Sequence, residues 1–305
     1  MWVFLPVAQL SVSLPLMVAI GGVVGLVSGL FGVGGGFLMT PLLMFVGIPP
    51  MVATGSDAAQ IVAASTAGTL THSKAGTVDY RMGLILFAGG SMGSVLGVRL
   101  VGWLNRLGPA NAAIRVLYVV LLGVVGSFML VESIRTWRQG AYMAERRFEP
   151  IRQRGWVDAL PFKMTFEKSE IEVSVLLPAA MGFVGGVLAA MMGVGGGFIM
   201  VPLMLYVLRM RMHVVAGTSL FQILLTCMLV TVLQSVNNHT VDFILAFLLA
   251  MGSTVGAMAG TVLGRRLRGD QLKILLAIIV IAVAIKVGTQ LLGTPALMLS
   301  HLAGH

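Results

Sequence analysis

Gly32 to Met44 reads "GVGGGFLMTPLLM", and Gly193 to Leu205 reads "GVGGGFIMVPLML". The same glycine-rich phrase stands twice at an offset of 161, each time between apolar runs. Outward from these phrases, hydrophobic periodicity marks five apolar segments, a polar stretch, and five more. The first five run over about 14–32, 35–47, 51–72, 81–103 and 112–132. The second five cover about 174–192, 196–208, 213–236, 242–264 and 271–292.

Composition fixes the solvent. The chain has 305 residues, of which 57% are hydrophobic and 10% charged, and its mean hydropathy is +0.97. Soluble domains carry roughly a quarter charged residues, so this chain cannot cover a water-facing surface of its size. Several apolar runs approach the roughly 20 residues that cross a bilayer core. The expectation is an all-α integral membrane protein. The net charge of +9 is then a matter of loop placement and orientation, not of a nucleic-acid partner. The single cysteine, Cys227, precludes a disulfide within the chain, and no Cys/His cluster suggests a metal or cofactor. The N-terminus lacks the positive region of a cleaved signal peptide.

The likeness of the halves extends beyond the glycines. "GGVVGLVSGLFGVGGG" (21–36) aligns with "GFVGGVLAAMMGVGGG" (182–197), and "TGSDAAQI" with "AGTSLFQI". "TVDY" aligns with "TVDF", and Gly89, Gly93 and Gly97 with Gly252, Gly256 and Gly260. Duplicated membrane halves are a signature of transporter folds. With five segments per half, the second half enters from the opposite side. Sixteen of the 20 Lys and Arg then fall on one side, among them Lys74, Arg81, Arg209 and Arg211, against Arg99, Arg106 and Arg115 on the other. Positive charge stays cytoplasmic. The sequence thus predicts two inverted structural repeats, 1–132 and 174–305, joined by a cytoplasmic linker, 133–173, with both termini outside. Within the linker, "KMTFEKSEIEV" alternates as a hairpin would, and an amphipathic helix is expected before it.

Segments 35–47 and 196–208 are too short as helices to cross a core of about 30 Å. Each follows a glycine cluster and has a proline, Pro41 or Pro202, in its first turns. Each therefore reads as a short half-helix that begins inside the membrane, where irregular backbone survives only under protein or water. A helix N-terminus presents free N–H groups and a positive dipole end, which suit an anion. Gly34, Gly35 and Gly36 with Gly195, Gly196 and Gly197 are the candidate anion-binding backbone; tight helix packing is the other role open to them. Packing is the expected role of the Gly89 and Gly252 series. Ser56 and Gln60, and Thr218, Ser219 and Gln222, occupy matching helix positions, either lining a cavity or bonding helices together.

The doubled GxGGGxxxxPxL phrase, followed by a GTS-like triplet and a glutamine, resembles the TauE/SafE family of bacterial membrane transporters. "RGWVDALPFKMTFEKS" is also similar to a linker of that family, and the likeness covers nearly the whole chain. The resemblance implies a secondary transporter of the bacterial inner membrane that exports a small sulfur-containing anion, sulfite or an organosulfonate such as sulfoacetate, with that anion, the lipid bilayer and the protons of the driving gradient as its partners. A homodimer would be compatible with it. The chain departs from the pattern at Asp57, where "GSDAAQ" has a carboxylate in place of the serine of "GTSLFQ". Ionisable groups inside membranes are costly and usually functional. Asp57 is either the proton-coupling group or an ordinary carboxylate near the start of its helix.

Two other function classes have a footing in the sequence. Gly89-Gly90-Ser91-Met92-Gly93 matches the GxSxG nucleophile pattern of hydrolases, but that motif needs a strand-to-helix elbow, and this one lies in an apolar helix. No enzyme is expected. A passive anion channel, or a membrane scaffold without transport, is the alternative to a carrier.

Overall fold

The computed structural model describes residues 2–32, 34–138, 161–166, 168–264 and 269–292. A short antiparallel hairpin, β1 (Trp2–Leu5) and β2 (Leu10–Ser13), leads into α1 (Leu14–Phe31), α2 (Gly36–Phe45), α3 (Pro50–Lys74), α4 (Tyr80–Leu107) and α5 (Ala110–Arg138). A second hairpin, β3 (Lys163–Phe166) and β4 (Ile171–Ser174), leads into α6 (Leu176–Met192), α7 (Gly197–Tyr206), α8 (Met212–Asn237), α9 (Phe243–Gly264) and α10 (Gly269–Leu292). These ten helices follow the ten apolar segments of the sequence. Five of the described spans are long and apolar enough to cross a membrane: α1, α4, the 110–127 part of α5, α8 and α9. The protein is an all-α, multi-pass membrane protein. The expected amphipathic helix of the linker lies outside the described residues.

The two halves interlock by exchanging helices. α1 of the first half lies along α9 of the second, and α6 lies along α4. Glycines make the approach possible. A Cβ on Gly89 or Gly93 of α4 would collide with the carbonyls of Ala179 and Phe183, and one on Gly182 or Gly186 of α6 with those of Leu86 and Gly90. Gly21 and Gly25 of α1 meet Leu249 and Ser253 in the same way, and Gly252 and Gly256 of α9 meet Val18 and Gly22. Without a hydrophobic force between helices in lipid, small residues that bring backbones together supply the packing energy. The Gly89 and Gly252 series are packing glycines, as their spacing suggested, and Ser91 of the hydrolase-like pattern donates to the Ala88 carbonyl of its own helix at 2.8 Å.

At the centre, α3 crosses its counterpart α8, while α5 and α10 pair at the periphery. Gly55, near the start of α3, abuts Thr240 beyond the end of α8; Gly217, near the start of α8, abuts Thr77 beyond the end of α3. The equivalent helices therefore run antiparallel. The ends of the bundle repeat one device. Asp79 caps α4 by accepting from the Met82 amide at 3.0 Å, and the Ser169 hydroxyl of the β3–β4 turn donates to its other oxygen at 2.5 Å. Asp242 accepts from the Ile244 and Leu245 amides at 3.2 Å and from the Val7 amide of the β1–β2 turn at 3.0 Å. The hairpin that leads into each repeat thus clips onto the helix-start aspartate of the other repeat. An ion pair between Glu170 and Arg211 fixes the β3–β4 turn further. The N-terminal hairpin was not foreseen, because "WVFLPVAQLSVS" is as apolar as the helix after it.

A larger side chain in the α4–α6 seam has no space to move into. Gly93→Leu should destabilise the protein by about 1–3 kcal/mol, the usual cost of overpacking. In detergent, its thermal midpoint should fall by several degrees, while Gly123→Leu, at a position with open space around it, should leave the midpoint unchanged.

Candidate functional site

The two glycine phrases fold alike. α1 ends on Gly32 and α6 on Gly193, both left-handed (φ 68° and 71°), and their amides close the last turns on Ser28 and Ala189 carbonyls at 2.8 Å. The next helices begin at left-handed N-caps, Gly35 and Gly196, both at φ 77°. Gly34 and Gly195 are left-handed as well, at 82° and 71°. Side chains with a Cβ avoid this region, so the phrase is written in glycine because the chain must reverse here within a few residues.

α2 and α7 have 10 residues each, about 15 Å at 1.5 Å per residue. Pro41 and Pro202 stand at the sixth residue of each helix, in its second turn. There they deprive the Phe37 and Phe198 carbonyls of an intrahelical donor. The first amides of each helix have no partner within it.

The two half-helix N-termini meet. Phe37 and Phe198, second residues of α2 and α7, stack with ring centroids 5.5 Å apart and planes 21° from parallel. A Cβ on Gly36 would lie 2.7 Å from Val194 Cα in the opposite turn. Ile61 of α3 and Ile223 of α8 cover the turns: both border Gly34, and Ile223 with Cys227 borders Gly195. These three side chains are fully buried. The irregular backbone is thus sheathed in protein, as lipid demands.

The polar residues of α3 and α8 divide between two tasks. Ser56 Oγ accepts from the Asp242 amide at 2.9 Å, and Thr218 Oγ1 accepts from the Asp79 amide at 3.0 Å, so both hydroxyls join the central helices to the loops. Ser219 points to the glycine turn, donating to the Gly32 carbonyl at 2.5 Å. Its counterpart Asp57 is fully buried and accepts from Thr40 Oγ1 of α2 at 2.7 Å through Oδ2. Asp57 is the eighth residue of α3, and its partner lies on another helix, not in its own first turn. Gln222 Nε2 donates to Thr226 Oγ1 at 2.8 Å and lies against Gly90. Asp57 Oδ1, Ser28 Oγ beside Gly35, and the Oε1 atoms of Gln60 and Gln222 are buried with no hydrogen-bond partner among the described residues. Buried polar atoms without partners are rare; of these, Ser28 borders Gly35 and Asp57 borders Gly36 at the first turn.

Two residues of this site were not foreseen. Thr40 departs from the repeat, since its counterpart is Val201; the difference between the two phrases was visible and its meaning was not. Tyr118 of α5 donates to the Met192 carbonyl at 2.6 Å, and nothing in the spacing of its apolar helix marks it. Toward the end that holds Arg211, a depression lined by Gly29, Leu30, His72, Met212, His213, Ala216, Thr261 and Gly264 opens beside the first turn. Ala216 touches Gly32.

The family model described as "Sulfite exporter TauE/SafE" matches residues 17–287. The chain belongs to the TauE/SafE family. It is 27% identical over 287 residues to the "Probable membrane transporter protein YunE" of Bacillus subtilis (strain 168), covering 89% of this chain and 96% of that protein. It is 32% identical over 279 residues to a "Probable membrane transporter protein" of Xylella fastidiosa (strain 9a5c), covering 90% and 95%. No solved structure matches it. The matched region holds both glycine turns and every candidate site residue, so the geometry above belongs to a TauE/SafE membrane transporter.

The division of polar tasks predicts different phenotypes. Ser56→Ala and Thr218→Ala should each lower stability by about 1 kcal/mol, the net worth of one hydrogen bond, and leave initial flux near wild type. Gln60→Ala and Gln222→Ala should instead lower flux at least several-fold with little change in thermal midpoint. Thermal melts and vesicle flux on the same four variants check this.

Proposed function

We propose that this TauE/SafE protein is a secondary transporter that exports a small sulfur-containing anion, sulfite or an organosulfonate such as sulfoacetate, coupled to the proton gradient through Asp57. One observation carries the proposal: two half-helix N-termini, one from each repeat, meet in the buried centre at the Phe37–Phe198 stack. Free amides and two positive dipole ends suit a tetrahedral or pyramidal oxyanion, and transporters built from repeats use such ends for anionic groups. The candidate ligands are the backbone of Gly34, Gly35 and Gly36 and of Gly195, Gly196 and Gly197, with the side chains of Gln60 and Gln222.

The antiparallel crossing of α3 and α8 supports an inverted relation of the repeats in the membrane. Loop charge supports a cytoplasmic linker, outer termini, and the bacterial inner membrane as location. On that orientation the depression beside Gly32 faces the cytoplasm, the side from which an exporter loads. Phe37, Phe198, Ile61 and Ile223 fill the centre, which favours a carrier that opens alternately over a passive channel.

In proteoliposomes, uptake of labelled sulfite or sulfoacetate should saturate and depend on an imposed pH gradient. Gly35→Leu combined with Gly196→Leu should abolish it. Asp57→Asn should retain anion exchange and lose the gradient dependence. Flux untouched by the paired glycine substitutions would remove the site from the turns.

A further inference from the structure

The repeats differ at two coupled positions. In the second half, Ser219 donates to the Gly32 carbonyl that ends α1, and Val201 stands on the half-helix. In the first half, Asp57 replaces the serine and Thr40 replaces the valine. Thr40 Oγ1 lies 2.7 Å from Asp57 Oδ2 and 3.5 Å from the carbonyl of Met192, the last residue of α6. Helix-terminal carbonyls have no intrahelical donor, and the Met192 carbonyl otherwise receives only the Tyr118 hydroxyl among the described residues. Thr40 has one hydrogen and two acceptors. Its direction decides whether α2 of the first repeat is tied to α6 of the second.

We infer that Thr40 is the positioning residue that turns the protonation of Asp57 into a tie between the two repeats. The ionised carboxylate holds the Thr40 hydrogen. When Asp57 Oδ2 takes a proton from entering water, it becomes a donor to Thr40 Oγ1, and the Thr40 hydrogen turns to the Met192 carbonyl. Loss of the proton reverses the sequence, and only an O–H bond on Asp57 forms or breaks. On one side of the centre the Ser219 hydroxyl, which also lies 3.1 Å from the Ala216 carbonyl of its own helix, ties to Gly32 without a titratable partner; on the other, the tie is made only while the proton is bound. Tyr118 of α5 and Cys227 of α8 are the other titratable groups that feel the Asp57 charge. The remaining buried ionisable side chains among the described residues, His72, Asp79 and Asp242, lie at helix ends. This inference rests on proton coupling through Asp57.

The labelling arm of the test needs no knowledge of the cargo. Cys227 is the only cysteine, and a Cβ on Gly195 would lie 2.7 Å from its Sγ, so thiol labelling reports opening of the second turn. The full chain in liposomes is treated with N-ethylmaleimide in mildly acid and mildly alkaline buffer, and wild type is compared with Thr40→Val at each pH. Valine occupies the equivalent position in α7, so the half-helix accepts it. In acid, wild type should label about five-fold more slowly than Thr40→Val, the change that one net hydrogen bond makes to an opening equilibrium; in alkali the two should match. Thr40→Ser should behave as wild type. Hydrogen exchange at residues 193–197 gives the same comparison independently of the thiol. A wild-type to Thr40→Val ratio that is the same at both pH values overturns the tie. If Asp57→Asn also keeps gradient-dependent flux, the proton reading itself falls; if it loses that dependence while the ratio stays flat, only the tie does.

Discussion

A backbone amide in lipid has no water to turn to, and this protein interrupts two helices in its apolar interior. Everything around the glycine turns answers that constraint. The reversal needs left-handed backbone at Gly32, Gly34 and Gly35 and again at Gly193, Gly195 and Gly196. The exposed polar backbone then needs a sheath, which Ile61, Ile223 and Cys227 provide from the central helices. The central helices in turn are held at both ends by Ser56 and Thr218, each accepting an amide from the loop of the other repeat. Around this, the α1–α9 and α4–α6 pairs close because glycines let their backbones touch. Each level makes sense only once the interrupted helices are accepted as the thing being built.

The two-fold likeness is nearly complete in the scaffold and broken in the centre. Turn angles, N-caps, capping aspartates and hairpins all come in pairs. The Asp57–Thr40 pair has no equal in the other half, where Ser219 and Val201 stand. If Asp57 is the coupling group proposed above, one such group is enough, and a duplicated scaffold supplies the matched frame in which a single substitution acquires direction.

Most of the architecture was legible because membrane helices announce themselves by composition. All ten segments fall within a few residues of the helices found, and the paired phrases located both turns. The site was legible in part. Backbone sites can be read from glycines, since few other residues adopt left-handed turns, and Asp57 stood out as a carboxylate in an apolar run. Ser56 and Thr218 share a helix face with Gln60 and Gln222, and periodicity alone cannot tell a hydroxyl that bonds a loop amide from one that faces a cavity. Thr40 and Tyr118 act through single contacts between segments far apart in sequence, which no local pattern encodes. The β1–β2 hairpin escaped notice because an apolar strand and the start of an apolar helix share one composition.

On the proposed function, the two half-helix N-termini form one anion site. Selenite carries the shape and charge of sulfite together with a strong anomalous signal. A crystal structure of the protein with selenite should show a single anomalous peak within hydrogen-bond distance of the amides that begin α2 and α7. A peak elsewhere, for instance only in the depression beside His72 and His213, would contradict the account.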